Sequence, residues 1–262
     1  MKTYAEFVKD KINFKADFAI IIGSGLSSIL DKVQIVKKIS YQEIPRYPVS
    51  TVAGHTGELI FGTLSGKNIL IFNGRVHFYE GYSMREITSS VYLAHATGAN
   101  NIIITNAAGA VNTALNVGDI MLIRDHVNFI FADNPLREEK GNERFVDLIN
   151  AYDKEYRAKV AEIARKKRIN VKEGVYCAVA GPNYETMAEL TLMNRLGIDA
   201  VGMSTVPEVI VARYLKMKVL GFSCITDSVF VDGKVTHEKV LDMASRCGKN
   251  ISCLIEEFLK EI

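Results

Sequence analysis

A chain of 262 residues with 48% hydrophobic and 24% charged side chains is not limited in what it can bury, and one large α/β domain or two small ones both fit that length. Lysine plus arginine exceeds aspartate plus glutamate by only two, too even a balance to make nucleic acid or an anionic membrane a general partner, though a local pocket for a small anion stays open. No stretch offers the roughly eighteen apolar residues of a membrane span, the N-terminus has no apolar signal core, and Cys177, Cys224, Cys247 and Cys253 lack C-x-x-C spacing; a cytoplasmic protein with reduced, mostly buried thiols is expected.

After an N-terminal segment with charges at helical spacing comes an apolar run, Phe18 to Ile22, of the β-branched kind that suits a strand buried on both faces. It leads into Gly23-Ser24-Gly25 and a helix-like segment to Leu30. Glycines there let backbone N–H groups approach an anion at a helix N-terminus, and Ser24 adds a hydroxyl donor. The third glycine of a dinucleotide fingerprint is missing, Ser28 standing in its place, and so is the Gly-Lys-Ser/Thr of a triphosphate loop, so a plain strand-to-helix turn is an open alternative.

The segment STVAGHTGELIFG, 50–62, sets His55 between Gly54 and Gly57, and a second strand-like run, Asn68 to Phe72, ends in NGRVHFYEGY. If Val76 turns into the core of an extended segment, Arg75 and His77 share the opposite face. A guanidinium fork with two imidazoles and a serine is a suitable cage for a dianion. Taken singly, each of these residues reads equally as a surface arginine or a structural histidine.

A helical stretch, Ser83 to Thr97, precedes the strand Asn101 to Thr105, which runs out through Asn106-Ala107-Ala108-Gly109. Small residues at a strand's carboxyl end leave room for a flat ligand against the backbone, or for a closely packed helix. Beyond the strand Ile120 to Ile123, the segment 129–151 is charged, carries Pro135 and Gly141, and is long for a plain connection, which marks a lid, a contact surface or disorder. A helix from Asp153 to Lys167 and a strand from Val175 to Ala180 come next. Tyr184 and Glu185 follow Gly181-Pro182: an aromatic face beside a carboxylate matches a purine, although Glu185 also fits the first turn of the next helix, Thr186 to Leu196. Met203 and Ser204 precede a helix from Pro207 to Lys216, Asp227 lies just past the strand Val219 to Ser223, and His237 sits near the start of the last helix, Lys234 to Ile262. Strands alternating with helices predict an α/β fold, one domain over 1–262 with a mixed, mostly parallel central sheet flanked by helices.

Taken together, GSGL at 23–26, GRVHFYEGY, TNAAG, VGDIMLIRDHVN, AGPNYET and AVGMSTVPEVIVAR resemble the small-subunit, trimeric purine nucleoside phosphorylase family over nearly the whole chain. The resemblance implies the nucleoside phosphorylase fold and pentosyl transfer in purine salvage, in which a purine ribonucleoside or deoxyribonucleoside and phosphate give free base and pentose 1-phosphate. By the same resemblance Ser24, His55, Arg75, His77, the backbone N–H of Ala107, and Ser204 hold phosphate. Tyr79, Met203 and His237 hold the pentose, with Phe145 entering from the neighbouring subunit of a homotrimer. Ala108, Gly109, Tyr184, Glu185, Val201 and Asp227 hold the base. The catalytic set is His77, Glu185, Asp227 and His237; no metal or cofactor is expected, inorganic phosphate being a co-substrate.

In one respect the chain departs from the pattern. Asp227 stands where members selective for 6-oxopurines carry asparagine. An aspartate there also fits a 5′-methylthioadenosine phosphorylase, against which His237 suits a 5′-hydroxyl better than a thioether. From other classes, a non-catalytic nucleoside or phosphate binder is weakened by the full phosphate cage, and a dinucleotide-dependent oxidoreductase by the missing third glycine.

Overall fold

The apolar runs picked out by the sequence are strands, and they form the middle of a larger sheet. The computed structural model describes residues 3–52, 56–131, 133–228 and 237–262, apart from the side chains of 237–239 and 241. Among these, nine strands form one sheet: β1 (Phe18–Ile22), β2 (Gln34–Ser40), β3 (Glu58–Leu64), β4 (Lys67–Asn73), β5 (Asn101–Ala110), β6 (Ile120–Asn128), β7 (Val171–Ala178), β8 (Ala200–Gly202) and β9 (Lys218–Ser228). β1 lies between β4 and β5 and is parallel to both, and β5 is parallel to β9. β2, β3 and β4 add an antiparallel meander on one side, the β3–β4 turn using Ser65 and Gly66 at φ of 53° and 79°, the left-handed pair that a tight hairpin needs. On the other side the order is β5-β8-β7-β6-β9, and because β9 also pairs with β5 the sheet closes on itself there.

Seven helices cover the sheet among the described residues: α1 (Tyr4–Lys11), α2 (Met84–Ile87), α3 (Ser89–Ala96), α4 (Lys154–Lys167), α5 (Met187–Arg195), α6 (Val206–Tyr214) and α7 (His237–Glu261). β1 shows why both faces must be covered: Ala19 and Ile21 belong to one apolar core, with Val91 of α3 and Val209 of α6, while Phe18, Ile20 and Ile22 belong to another, with Val160 of α4 and Leu254 of α7. Period-two alternation with both sets apolar is the signature of a strand buried on two faces. Asp153 caps α4 and Thr186 with Glu189 forms a capping box on α5, which fixes where those helices begin.

Some elements differ from the sequence expectation. β5 does not stop at Thr105, because its backbone goes on finding partners in β9 and β8 as far as Ala110; Asn106 to Gly109 are therefore strand residues. For the same reason Asp227 lies within β9 rather than past it, opposite Gly109 across a register shift. After Gly25 there is only a 3-10 helix, Ser27–Lys32, held against α7 by a Ser28–Ser252 hydroxyl contact of 2.9 Å, and no α-helix that would point a dipole at the turn. The helix expected over Ser83 to Thr97 is broken at Thr88 into α2 and α3. Segment 129–151 is irregular as expected, with a single 3-10 turn at Asn142–Arg144 among its described residues. Glu139 ties this segment to the body, accepting hydrogen bonds from Tyr92 at 2.9 Å and Tyr214 at 3.3 Å and pairing with Arg85. No described helix is long and apolar enough to cross a membrane.

Candidate active site

The ends of β1 and β4 and the later halves of β5, β8 and β9 open into one cleft. At one end lies the Gly23 turn. A methyl carbon on Gly23 would stand 2.6 Å from the Thr105 carbonyl oxygen and 2.8 Å from the Asn106 Cα, so only glycine lets β1 end directly on β5. The Gly23 N–H is spent on Thr105 Oγ1 at 3.0 Å; what the turn contributes is Ser24 at the cleft wall.

Arg75 and His77 both reach this wall from the extended segment after β4, with Val76 buried between them. Arg75 is 4% exposed. Its Nη1 donates to Glu208 Oε2 at 2.8 Å, and its Nη2 donates to the carbonyls of Thr105 and Ile21. His77 stacks on Tyr79, ring centroids 4.8 Å apart and planes 10° apart, and its Nδ1 lies 2.9 Å from Glu80 Oε1. Burial opposes a charge on Glu80, yet donors from His77 and Thr51 hold its carboxyl down at about 2. An ionised acceptor at Nδ1 keeps the imidazole proton on that nitrogen and fixes the ring.

Ser204 completes this end. The next residue, Thr205, has φ 74° and ψ −54°, a strained conformation for a β-branched residue, and it is held there by accepting from Asn106 Nδ2 at 2.8 Å while its hydroxyl touches Ser204 Oγ at 3.1 Å. Thr205 therefore couples Ser204 on one wall to Asn106, the β5 neighbour of Ala107, on the other.

At the far end Glu185 and Asp227 share the cleft with Ala108, Gly109, Val201 and Tyr184. Asp227 Oδ1 accepts from Thr226 Oγ1 at 3.0 Å, and a methyl carbon on Gly109 would lie 2.8 Å from Asp227 Oδ2, so this glycine leaves the carboxylate its place. Burial raises the pKa of both acids, and the Asp227 charge raises that of Glu185 further; each takes up a proton at a higher pH than an ordinary carboxylate. Tyr79 and Met203 line the middle, where burial lifts the Tyr79 phenol to about 12.

The cleft thus gathers Ser24, Arg75, His77, Ala107 and Ser204 at one end and Ala108, Gly109, Tyr184, Glu185, Val201 and Asp227 at the other. Phe145 does not line it and is 75% exposed. His55 lies outside the described residues, and although His237 opens α7, its side chain does too. No group of three His, Cys, Asp or Glu that would hold a metal ion occurs among the described residues.

A family model of the phosphorylase superfamily matches residues 17–260. Purine nucleoside phosphorylase 1 of Bacillus subtilis is 44% identical over 247 residues, spanning 92% of this chain and 91% of its own. The chain belongs to the purine nucleoside phosphorylase family. Two solved purine nucleoside phosphorylases superpose on it closely: one from Schistosoma in complex with hypoxanthine, with a TM-score of 0.91 and 33% identity over 99% of this chain and 95% of that one, and one from Schistosoma mansoni in complex with adenosine, with a TM-score of 0.90 at the same identity and coverage.

Measured against the family motifs, the sequence reading passed over the residues that hold the others in place: Glu80, Asn106, Thr205 and Glu208. Two left a signal. Glu80 stands three residues after His77, the spacing of a capping box, and its carboxylate does accept the His77 backbone N–H at 2.8 Å. Glu208 is a single carboxylate inside the apolar run VPEVIVA, and a buried carboxylate almost always has a partner.

Proposed function

We infer that this purine nucleoside phosphorylase splits the glycosidic bond of purine ribonucleosides and deoxyribonucleosides with inorganic phosphate, giving free base and pentose 1-phosphate. The observation that carries this reading is the polarity of the cleft, with Arg75, His77, Ser24 and Ser204 at one end and two half-buried carboxyls, Glu185 and Asp227, at the other. A dianion and a nitrogen heterocycle bound at opposite ends leave a pentose between them, near Tyr79, Met203 and His237.

In the reaction a phosphate oxygen bonds to C1′ as the C1′–N9 bond breaks and its electron pair goes to the purine. The pentose becomes oxocarbenium-like and the base anionic, so catalysis is positioning plus electrostatics. Arg75 and the hydroxyls fix phosphate beneath C1′, where its charge also stabilises the developing cation. His77, with its Nδ1–H committed to Glu80, accepts at Nε2 from the P–OH of hydrogenphosphate. Glu185 accepts from the ring N–H of a 6-oxopurine, and Asp227 manages the proton at N7. Phosphate is the co-substrate and no cofactor is required. A cytoplasmic place in purine salvage fits products that feed nucleotide resynthesis. The deciding assay measures free base released from inosine, guanosine and adenosine with and without phosphate: release only with phosphate is expected, and release independent of phosphate, or none, overturns the reading.

The active unit in this reading is a homotrimer in which Phe145 closes the pentose site of the neighbour. Its support is the apolar surface of segment 129–151, where Phe131, Phe145 and Ile149 are all exposed, an arrangement that invites cover by another copy. Phe145→Ala is expected to raise the nucleoside KM with little change in the phosphate KM, and sedimentation of the parent to give a trimer. A fully active monomer at assay concentration would falsify the shared site.

A further inference from the structure

The Arg75–Glu208 pair is too deeply buried to be explained as a stabilising contact. The side chains are 3% and 4% exposed, and removing two charges from water costs about what their attraction returns, so an apolar pair would serve the fold as well or better. Glu208 sits in the first turn of α6, where the helix dipole favours a carboxylate, but every residue from Val206 to Ala212 around it is buried. Nor does Glu208 line the cleft; it stands behind Arg75, in a small space shared with Val76, Ser204 and Thr205.

We propose that Glu208 is a positioning residue for phosphate: from behind the cleft wall its carboxylate sets the plane of the Arg75 guanidinium. Nη2 is anchored on carbonyls of β1 and β5, and Nη1 on a carboxylate of α6, so the flat group is fixed from three elements at once. Without the Nη1 anchor it would pivot about Nη2 and lose its aim on phosphate. The same carboxylate places a like charge behind the phosphate site, so aim and charge act on phosphate in opposite directions. Glu208→Asp keeps the charge and shortens the reach, whereas Glu208→Gln keeps the reach and removes the charge.

This inference rests on the proposed phosphate site, and the experiment separates the two. Inorganic phosphate is titrated calorimetrically into the full-length parent, Glu208→Asp, Glu208→Gln and Arg75→Ala, with thermal unfolding and nucleoside KM measured on each. We expect Glu208→Asp to weaken phosphate by about fivefold or more and Glu208→Gln to tighten it by roughly threefold, each with a nucleoside KM near that of the parent. A passive structural role would weaken both or neither, and either pattern overturns the proposal. Should the aspartate variant not fold, the glutamine variant decides: unchanged or weaker phosphate binding rejects the positioning role. If Arg75→Ala leaves phosphate affinity unchanged, it is the phosphate site itself that fails.

Discussion

Replacing Arg75 by alanine is expected to raise the KM for phosphate by one to two decades while the nucleoside KM moves little. The side chain is the one guanidinium on the cleft wall among the described residues, and donors to a charged partner contribute roughly 1.5–3 kcal/mol, which is about one to two factors of ten. His77→Ala should act in the same sense, since its ring is held on the same wall by Glu80. Arg75→Ala also strands Glu208, and breaking one half of a buried pair costs about 3–5 kcal/mol of stability, so a lower melting temperature is expected beside the kinetic effect. Steady-state kinetics with each substrate varied in turn, below the unfolding range of the variant, separates the two consequences. Equal rises in both KM values would remove Arg75 from the phosphate site.

Asp227→Asn is expected to raise the ratio of inosine to adenosine catalytic efficiency by about tenfold or more, the value of roughly one hydrogen bond to a buried partner. Asparagine donates an N–H to the 6-oxo group and N7 of inosine, whereas an ionised aspartate only accepts and tolerates a 6-amino group. Asp227 faces the cleft beside Glu185, and burial raises its pKa, so the protonated form, able to donate to N7, persists to a higher pH than for an ordinary aspartate. The sign of the pH dependence follows: as pH falls through these raised values Asp227 gains a proton it can donate, while Glu185 loses the charge with which it accepts from a 6-oxopurine. Inosine efficiency in the parent should therefore fall on the acid side at a higher pH than a solvent-exposed glutamate would dictate, and the adenosine profile should follow Asp227. The measurement is kcat/KM on both nucleosides across pH for parent and variant. A ratio that does not move means that residue 227 does not read the base.

The core of the fold was legible because β1, β4 and β5 are apolar on both faces and need no knowledge of their neighbours to be recognised. β2 was not, since its burial pattern is mostly exposed and its partner is needed to make it a strand, and β8 has only three residues. The extension of β5 past Thr105 depends on long-range pairing with β9, which no local window contains. Motifs disclosed the residues that face the cleft for a similar reason: Arg75, His77, Glu185 and Asp227 stand beside glycines or strand ends, where local chemistry is conspicuous. Glu208 and Thr205 act from behind other residues, 133 positions from Arg75 in one case and 99 from Asn106 in the other, and only the folded chain brings them together.

The closure of β9 onto β5 leaves β2 as the strand at the open end of the sheet among the described residues. There the sheet is least protected against accretion of foreign strands, because Ile35 and Val36 of β2 are exposed and unpaired backbone would template another chain. Lys37 and Lys38 follow them directly, and the ladder to β3 slips between Ile35 and Lys37, so a strand laid along this rim would meet two cations and a broken register. Any association that the enzyme needs is thereby left to side chains and loops rather than to backbone polymerisation.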